Sequence, residues 1–547
     1  MRVRRPIVIG SLVVVLSVGA VAPSAGADTV TDDGVAWLTA QQRPNGGFEV
    51  AGFDGFETPD AILAIAANAQ TTAIWSTAEA LAAVEAVDNA GVTALDWVDA
   101  WVDGELTDPP LIGQEAKLIL QVAGPLGFDP TDFDPGDDDA PGDGVDLTAG
   151  LDENAPALFN SFLFARLAES RLGQNVHQAD LQVMCESEKA TGGGWSFDGD
   201  PAGPNSADLD TTGFAVMALV AAGVDPSAPV LEAAETFVLG GQVATGEDAG
   251  AWQSFGSPDP NATALAMFAV TALGTGLDDL AHDPVAWLQS QQLASPPADD
   301  GRFASPNDGF GVNTFATSQA VQALLLDQVP GADWLPVAPQ VSTVQRRCLP
   351  EAGFADVPVG AWYDDGARWV DDVGIVGGIN GDLRPAGRVN RAQAAMWLND
   401  MFGGPGGAPH SFTDVPDGAW YEDGVDFVGG APNGVIATGF GDQFRPRLNL
   451  NRAQAASWLY AAADSPDVTG LPAHGFTDVG PSTWYGDAAT WAAANEIVLG
   501  FGDDTFRGDG NVSRAQFAQW MFNLVATPEA WTDGATLPPT LLFSVFS

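Results

Sequence analysis

The chain has 547 residues, of which 20 are basic and 72 are acidic, giving a formal net charge of −52 at pH 7. A surface this acidic repels other polyanions, which excludes nucleic acid and anionic lipid surfaces as partners. The length predicts three or four domains at about 150 residues each.

The first 27 residues have the pattern of a secretory signal peptide. Arg2, Arg4 and Arg5 precede an apolar run over residues 7–21, and the run is followed by Ala25-Gly26-Ala27. A basic start, a short apolar core and an A-x-A exit predict export with cleavage after Ala27. A membrane anchor is the alternative, but the run is shorter than the roughly 20 apolar residues that a spanning helix needs. No later stretch has that length, so we expect a mature chain without a membrane span.

Residues 28–345 contain an irregular repeat. WLTAQQRPNGGFE at Trp37 returns as WLQSQQLASPPADDGRFA at Trp287, with GGGWSF at Gly192 and GAWQSF at Gly250 between them. Several copies precede an Ala/Leu-rich run with helical spacing, as at Thr58, Thr211 and Ala262. The runs predict helices and the Gly-aromatic segments predict the turns between them, with room for about six helical hairpins.

This pattern resembles the prenyltransferase and squalene-oxidase repeats of the terpenoid-cyclase α/α toroid superfamily. The resemblance implies an all-α double ring of helices around a central cavity. In that superfamily the cavity holds isoprenoids in the enzymes, and cobalamin or other ligands in the binding proteins. The ligand of this toroid is not identified by the sequence.

The enzyme motifs of that superfamily are not matched. A triterpene cyclase needs a D-x-D-D acid, and Asp208-Leu209-Asp210-Thr211 lacks the last carboxylate. Its position at a helix start is explained by capping alone. A zinc prenyltransferase needs a cysteine two residues after an aspartate, whereas Val183 precedes Cys185 at that spacing. We therefore predict no catalytic residue, metal or cofactor, and a structural or ligand-binding role; the alternative is a surface enzyme acting on an isoprenoid or other hydrophobic substrate.

An acidic segment, residues 129–147, offers oxygen ligands of the kind calcium prefers. The candidates are Asp134, Asp137, Asp139, Asp143 and Asp146. Their spacing matches no EF-hand, and the segment contains three prolines. A solvated acidic loop is favoured, although the sequence does not decide whether calcium binds.

Cys185 and Cys348 are the only two cysteines. They are too few for a disulfide scaffold, but an oxidising compartment permits a single bridge and neither thiol has another partner in the chain. We predict that they are joined; the alternative is two separately buried thiols.

The C-terminal third repeats at about 60 residues, a period typical of stacked supersecondary units. FADV at Phe354 returns as FTDV at Phe412 and Phe476, and a Trp-Tyr pair follows each copy. The pairs begin at Trp362, Trp420 and Trp484. A Gly-rich turn comes next, and each unit closes with NRAQ at Asn390, NRAQ at Asn451 or SRAQ at Ser513. Each unit is therefore predicted to be two helices joined by a glycine loop.

The closing motif predicts a capping box, in which Asn or Ser is followed three residues later by Gln. Capping does not explain Arg391, Arg452 and Arg514, because the helix dipole disfavours a cation in the first turn. A cation beside free helix N–H groups makes an anion site, so these arginines are favoured as ligands of a carboxylate or phosphate. The Trp-Tyr aromatics either belong to the core or contact sugar.

These motifs resemble S-layer homology domains in three tandem copies, at residues 350–403, 409–464 and 473–526, with a tail at 527–547. The resemblance implies a helical pseudo-trimer that grips an anionic, often pyruvylated, secondary wall polysaccharide. Arg391, Arg452, Arg514, Trp362, Trp420 and Trp484 are the candidate contacts. The family's usual T-R-A-E becomes N-R-A-Q or S-R-A-Q here, which keeps the cap and removes a carboxylate. We expect a secreted protein held on the cell wall, with the toroid displayed by the anchor.

Overall fold

The computed structural model describes residues 27–49, 55, 57–72, 74–105, 112–136, 144–151, 158–174, 176, 178–306, 314–326, 348–349, 352–358, 361–430, 436–437, 439–480, 482–527 and 530–532. The predicted signal peptide, apart from Ala27, and most of the tail lie outside these residues. The described chain is mainly helical, as predicted. Its strands are two short antiparallel hairpins, Asp88–Asn89 with Val92–Thr93 and Gln253–Ser254 with Ser257–Pro258.

The N-terminal region holds helices α1 to α13. Their bounds are α1 Ala27–Gln41, α2 Glu57–Asn68, α3 Thr77–Glu85, α4 Ala94–Glu105, α5 Ile112–Leu118, α6 Gly124–Leu126, α7 Phe159–Arg171, α8 Gln178–Glu186, α9 Leu209–Ala221, α10 Pro229–Gly240, α11 Pro260–Ala272, α12 Pro284–Ser290 and α13 Thr314–Leu324. A π-helical turn, Ile119–Ala123, continues α5 into α6.

Six of these segments contact one another in a closed cycle. Helix α2 packs on the π-helical turn after α5, and the contacts continue from α5 to α7, α9, α11, α13 and back to α2. The side chains of α9 and α11 are buried on almost every face, as expected for helices with neighbours on both sides. The cycle closes over a long chain separation, where the Gln322 Nε2 donates to the Asp60 carbonyl at 3.0 Å.

The Gly-aromatic turns share one hydrogen bond. The aromatic backbone N–H donates to the hydroxyl of a threonine in the first turns of the next helix, at 2.9–3.0 Å. The pairs are Phe48 with Thr58, Trp195 with Thr212, Trp252 with Thr263, and Phe303 with Thr317. All four aromatic side chains are buried. The repeated motif therefore fixes each turn to the helix that follows it, which is why the sequence repeats there.

The C-terminal region contains helices α14 to α19. Their bounds are α14 Asp364–Asp372, α15 Arg391–Met401, α16 Glu422–Gly430, α17 Arg452–Ala462, α18 Gly486–Ala494 and α19 Arg514–Ala526. The predicted capping boxes are confirmed at Asn390, Asn451 and Ser513, where the cap side chain and the Gln side chain each bond the other residue's backbone N–H.

Helices in this region pack mainly across the sequence units. The main contacts join α15 to α16, α17 to α18, and α19 back to α14. Glycine permits the closest approach: a Cβ on Gly366 in α14 would lie 2.6 Å from the Gln519 backbone in α19. Backbone bonds between the segments before the helices also form a triangle, Val389 N to Val512 O, Leu450 N to Val389 O, and Val512 N to Leu450 O.

The two cysteines are joined, which confirms the predicted disulfide. The Cα atoms of Cys185 and Cys348 lie 5.7 Å apart, and the bridge closes a loop of 163 residues. Cys348 packs against the N-terminal core, while Leu349 belongs to the C-terminal core. The chain therefore passes from one hydrophobic core to the other between two consecutive residues. Within the described ranges, no helix is both long enough and apolar enough to cross a membrane.

Candidate functional site

Arg391, Arg452 and Arg514 occupy equivalent positions at the first residue of α15, α17 and α19. Each is 5% exposed or less. Each Nε donates to a backbone carbonyl of another unit: Arg391 to Phe444, Arg452 to Phe506, and Arg514 to Leu383. These bonds join unit one to two, two to three, and three to one.

The three guanidinium groups also stack on tryptophan rings. Arg391 lies 5.0 Å from the centroid of Trp458, Arg452 lies 4.8 Å from Trp520, and Arg514 lies 5.0 Å from Trp397. These contacts do not use every donor of Arg452 and Arg514. In Arg514 neither terminal nitrogen bonds a described residue, and in Arg452 only Nη2 does, to Leu499 at 3.0 Å. The remaining terminal N–H groups of Arg452 and Arg514 can donate to an additional ligand.

The helix N-termini do not provide free N–H groups, which corrects the expectation from the sequence. The Arg391 N–H donates to the Leu448 carbonyl at 2.9 Å, and the Ala392 N–H donates to the Pro446 carbonyl at 3.0 Å. The next N–H is bonded by the Asn390 cap. The same pattern holds at Arg452 and Arg514. An anion at these positions would therefore be bound by guanidinium groups and not by the helix ends.

A second arginine accompanies each buried one and was not among the predicted site residues. Arg384, Arg445 and Arg507 follow the Gly-rich turns, and their φ angles of 57°, 56° and 55° lie in the left-handed region that non-glycine residues rarely adopt. The aspartate of the FxDV motif holds each of them there. Asp478, for example, accepts the N–H groups of Phe506 at 2.6 Å and Arg507 at 2.7 Å.

Asp356 and Asp414 make the same two bonds to the first and second units. The signal was visible in the sequence, because an arginine follows the Gly-Asp turn in all three units (LRP, FRP, FRG). Backbone held in an unfavourable region by its surroundings often marks a functional position.

The closely spaced positive charges of the paired arginines favour the binding of an anion. Burial lowers the pKa of Arg391 to about 10, with Asp414 raising it and Arg445 lowering it. Burial likewise lowers the pKa of Arg452 to about 10, with Arg507 lowering it further and Asp478 raising it. The pKa of Arg514 is lowered by burial and then by Arg384. Each buried cation thus lies near another, and a bound anion would relieve that repulsion.

Trp362, Trp420 and Trp484 lie on the surface, with 64%, 65% and 68% of each side chain exposed. The core interpretation is therefore wrong for these three side chains. In the third unit, contacts connect the exposed ring to an arginine pair. The Trp484 and Tyr485 centroids are 5.2 Å apart, and Tyr485 stacks at 5.5 Å on Phe506, whose carbonyl binds Arg452.

The three arginine pairs differ in whether an aromatic ring contacts both arginines. The Phe440 ring contacts both Arg391 and Arg445, at 5.1 and 4.4 Å from its centroid, and the Phe501 ring contacts both Arg452 and Arg507, at 4.8 and 4.0 Å. The first unit has Ile379 at the corresponding place, so the pair of Arg514 and Arg384 has no aromatic ring at this position.

In the N-terminal region, Asp208 is the N-cap of α9 and accepts the Thr211 N–H at 2.8 Å, as capping predicted. Asp210 lies at the protein surface, but protein atoms replace much of the water around its carboxyl group. The negative charges of Asp208 and Asp259 also disfavour its ionised form. Together these effects raise the pKa of Asp210 to about 6. Asp259 caps α11 and is also bonded by the Ser305 hydroxyl at 2.6 Å.

The acidic segment is described only in part. Asp137, Asp139 and Asp143 lie outside the described residues, and Asp146 accepts the N–H and hydroxyl of Thr148. Among the residues that the structure covers, no three His, Cys, Asp or Glu side chains are grouped to hold a metal ion.

The family model described as "S-layer homology domain" matches residues 475–518. The chain is 28% identical over 172 residues to the "S-layer protein" of Bacillus thuringiensis subsp. finitimus, covering 31% of this chain and 21% of that protein. It is also 28% identical over 172 residues to the "S-layer protein sap" of Bacillus anthracis, covering 31% and 20%. For the "S-layer protein" of Bacillus licheniformis the identity is 30% over 172 residues, covering 31% and 19%.

The chain thus spans about a fifth of the length of the curated relatives it matches. The matched domain and these relatives place it among secreted cell-surface proteins that carry an S-layer homology domain.

Proposed function

We propose that residues 350–526 form three S-layer homology repeats, closed into a pseudo-threefold anchor, that bind an anionic cell-wall polysaccharide without a covalent bond. The observation that carries the proposal is the threefold recurrence of one arrangement: a buried arginine, a second arginine held by the FxDV aspartate, and an exposed tryptophan. The matched family model covers part of the third repeat, and the cyclic contacts between units support the other two.

Charge supports an anionic ligand. The three arginine pairs contain six of the 20 basic residues in a chain whose formal net charge is −52. Like-charged guanidinium groups near one another are stabilised by a ligand that carries the opposite charge, and a planar guanidinium suits carboxylate or phosphate. The exposed tryptophans offer flat apolar surface of the kind that packs against sugar rings.

The arginines also support the fold, so their removal would not test binding cleanly. Replacing Arg391 by alanine would leave a cavity between aromatic rings and an unpaired Phe444 carbonyl. The tryptophans are better targets, because truncating an exposed side chain changes stability by about 0.5 kcal/mol or less.

The test is co-sedimentation of the secreted chain with purified cell walls. Trp362, Trp420 and Trp484 are replaced together by alanine, and Phe255→Ala is the control because it removes another exposed aromatic, 95% accessible, from the N-terminal region. Binding should fall at least about tenfold in the triple variant and stay unchanged in the control. Equal sedimentation of both would reject the tryptophans as polymer contacts.

We further propose that residues 28–345 form an α/α toroid that is displayed by the anchor and has a structural or ligand-binding role. The closed cycle of α2, α5, α7, α9, α11 and α13 supports this, as does the shared hydrogen bond of the Gly-aromatic turns. The unmatched catalytic motifs favour a non-enzymatic role.

One observation favours a second candidate, a surface enzyme acting on a hydrophobic substrate. The raised pKa of Asp210 would keep part of its carboxyl population protonated near pH 6, as a general acid requires. Incubation with squalene and with prenyl diphosphates tests this. Product that disappears in Asp210→Asn would establish the enzyme, and no product from the wild type would favour the non-catalytic role.

A further inference from the structure

Two faces of helix α8 make different contacts. Leu181 and Met184 are fully buried in the N-terminal core. Gln182, Cys185 and Glu186 are spaced i, i+3 and i+4 and so lie on one side of the helix. They contact Cys348, Leu349 and Arg368, which lie at the entry to the C-terminal region and in its first helix, and that side of α8 is called the docking face below.

The contacts of the docking face are of three kinds. Cys185 is bonded to Cys348. Gln182 pairs with the backbone of Leu349 in both directions, its Nε2 donating to the carbonyl at 3.0 Å and its Oε1 accepting the N–H at 2.9 Å. Glu186 binds Arg368 of α14 at 2.7 Å.

Arg368 is the cation at the centre of an acidic junction. It is 2% exposed and also binds Asp364, four residues earlier in α14, at 3.1 Å. Asp365 adds a third carboxyl group beside it. With Glu186, Asp364 and Asp365 around one guanidinium, the two regions would repel each other if Arg368 were not in place.

We propose that the docking face locks the N-terminal and C-terminal regions into one rigid body, with the disulfide as the tether and Arg368 and Gln182 as the residues that fix the angle. A disulfide alone restrains distance but leaves rotation about its bonds. The paired backbone bonds of Gln182 and the two-sided ion pair of Arg368 remove that freedom. The ring therefore projects from the anchor in one direction. The proposal rests on contacts inside the chain and holds whether or not the C-terminal region binds a wall polymer.

The experiment uses the full secreted chain, with small-angle scattering for shape and hydrogen exchange for α8 and α14. Three variants are compared with the wild type: Cys185→Ser with Cys348→Ser, Gln182→Ala with Glu186→Gln, and all four changes together. The control adds Glu232→Gln and Gln291→Ala to the cysteine variant, because neither side chain has a hydrogen bond or ion pair with the described residues of the C-terminal region, and Gln291 bonds its neighbour Ser290.

The cysteine variant should keep the scattering of the wild type, because Gln182 and Glu186 still fix the angle. The Gln182→Ala, Glu186→Gln variant should stay tethered but should require several relative orientations to fit its scattering, because the disulfide alone leaves rotation free. The fourfold variant should show a larger maximum dimension and at least about tenfold faster exchange in both helices, and the control should not. Reducing the Gln182→Ala, Glu186→Gln variant should open it, and reoxidation should close it again; that reversibility excludes a simple failure to fold. A fourfold variant as compact and as protected as the wild type would overturn the proposal, as would an oxidised wild type whose scattering requires several relative orientations.

Discussion

The aspartate of the FxDV motif offers a sharp test of how the arginine loops are held. Asp478 accepts hydrogen bonds from two backbone N–H groups, one on each carboxylate oxygen. Among the described residues, no other group accepts a hydrogen bond from these two N–H groups. Hydrogen bonds to a charged acceptor contribute about 1.5–3 kcal/mol each when shielded. Because this carboxylate is exposed to solvent, about 1 kcal/mol each is the appropriate figure. Asp478→Ala should therefore lower the free energy of unfolding by about 2 kcal/mol.

For a cooperative unit of this size, that loss corresponds to a Tm about 4–8 °C lower. The Tm of Asp478→Asn should lie between those of the wild type and Asp478→Ala, because the amide keeps one acceptor oxygen but presents its NH2 group to the second N–H. Asp467→Ala is the matched control, since Asp467 bonds the backbone N–H of Thr469 at 2.9 Å and the Thr469 side chain within one exposed turn, and so holds no distant segment. Scanning calorimetry of the three variants at pH 7 makes the comparison.

The two hydrogen bonds of Asp478 also predict how the stability depends on pH. Partial burial raises the pKa of Asp478, but the N–H groups of Phe506 and Arg507 outweigh it and leave the pKa below its ordinary value. A lowered folded-state pKa means that the stabilisation is present above about pH 4 and is lost as the pH falls through the folded-state pKa. Equal losses at pH 7 and pH 3, or a Tm change at pH 7 no larger than that of Asp467→Ala, would refute the reasoning.

Three other predictions follow from the described contacts. Replacing Cys185 and Cys348 by serine should lower the free energy of unfolding by up to about 5 kcal/mol, the chain-entropy value for a loop this long, measured by denaturant titration without reductant. The denatured, unreduced wild type should show no titratable thiol. Asp210→Asn should raise stability by about 1 kcal/mol above pH 6, because the wild-type carboxylate must ionise against its raised pKa, and the gain should vanish below about pH 4. Wall binding should weaken as salt rises from 50 to 500 mM if arginines bind an anionic polymer, and binding independent of salt would contradict that.

Local features were predictable from the sequence because their signals are local. A capping box needs only residues three apart, and all three boxes formed where the N/S-R-A-Q pattern placed them. The disulfide was predictable because neither thiol had another partner in the chain.

The long-range arrangement was not predictable in the same way. Self-similar units do not reveal whether a helix packs within its own unit or against the next, and Arg514 reaches Leu383 across 131 residues. The first-turn arginines were predicted to be anion ligands because the unfavourable dipole suggested a bound anion. The structure shows that stacking on tryptophan and a carbonyl bond also stabilise each guanidinium. The arginines at 384, 445 and 507 were missed because their left-handed backbone depends on an aspartate about 28 residues earlier.

The most direct test of wall anchoring is sedimentation of the full secreted chain with walls before and after chemical extraction of their anionic polysaccharide. If the arginine pairs and exposed tryptophans bind that polymer, the chain should pellet with intact walls, remain in the supernatant with extracted walls, and be released from intact walls by added free polymer. Equal pelleting with intact and extracted walls would contradict the account.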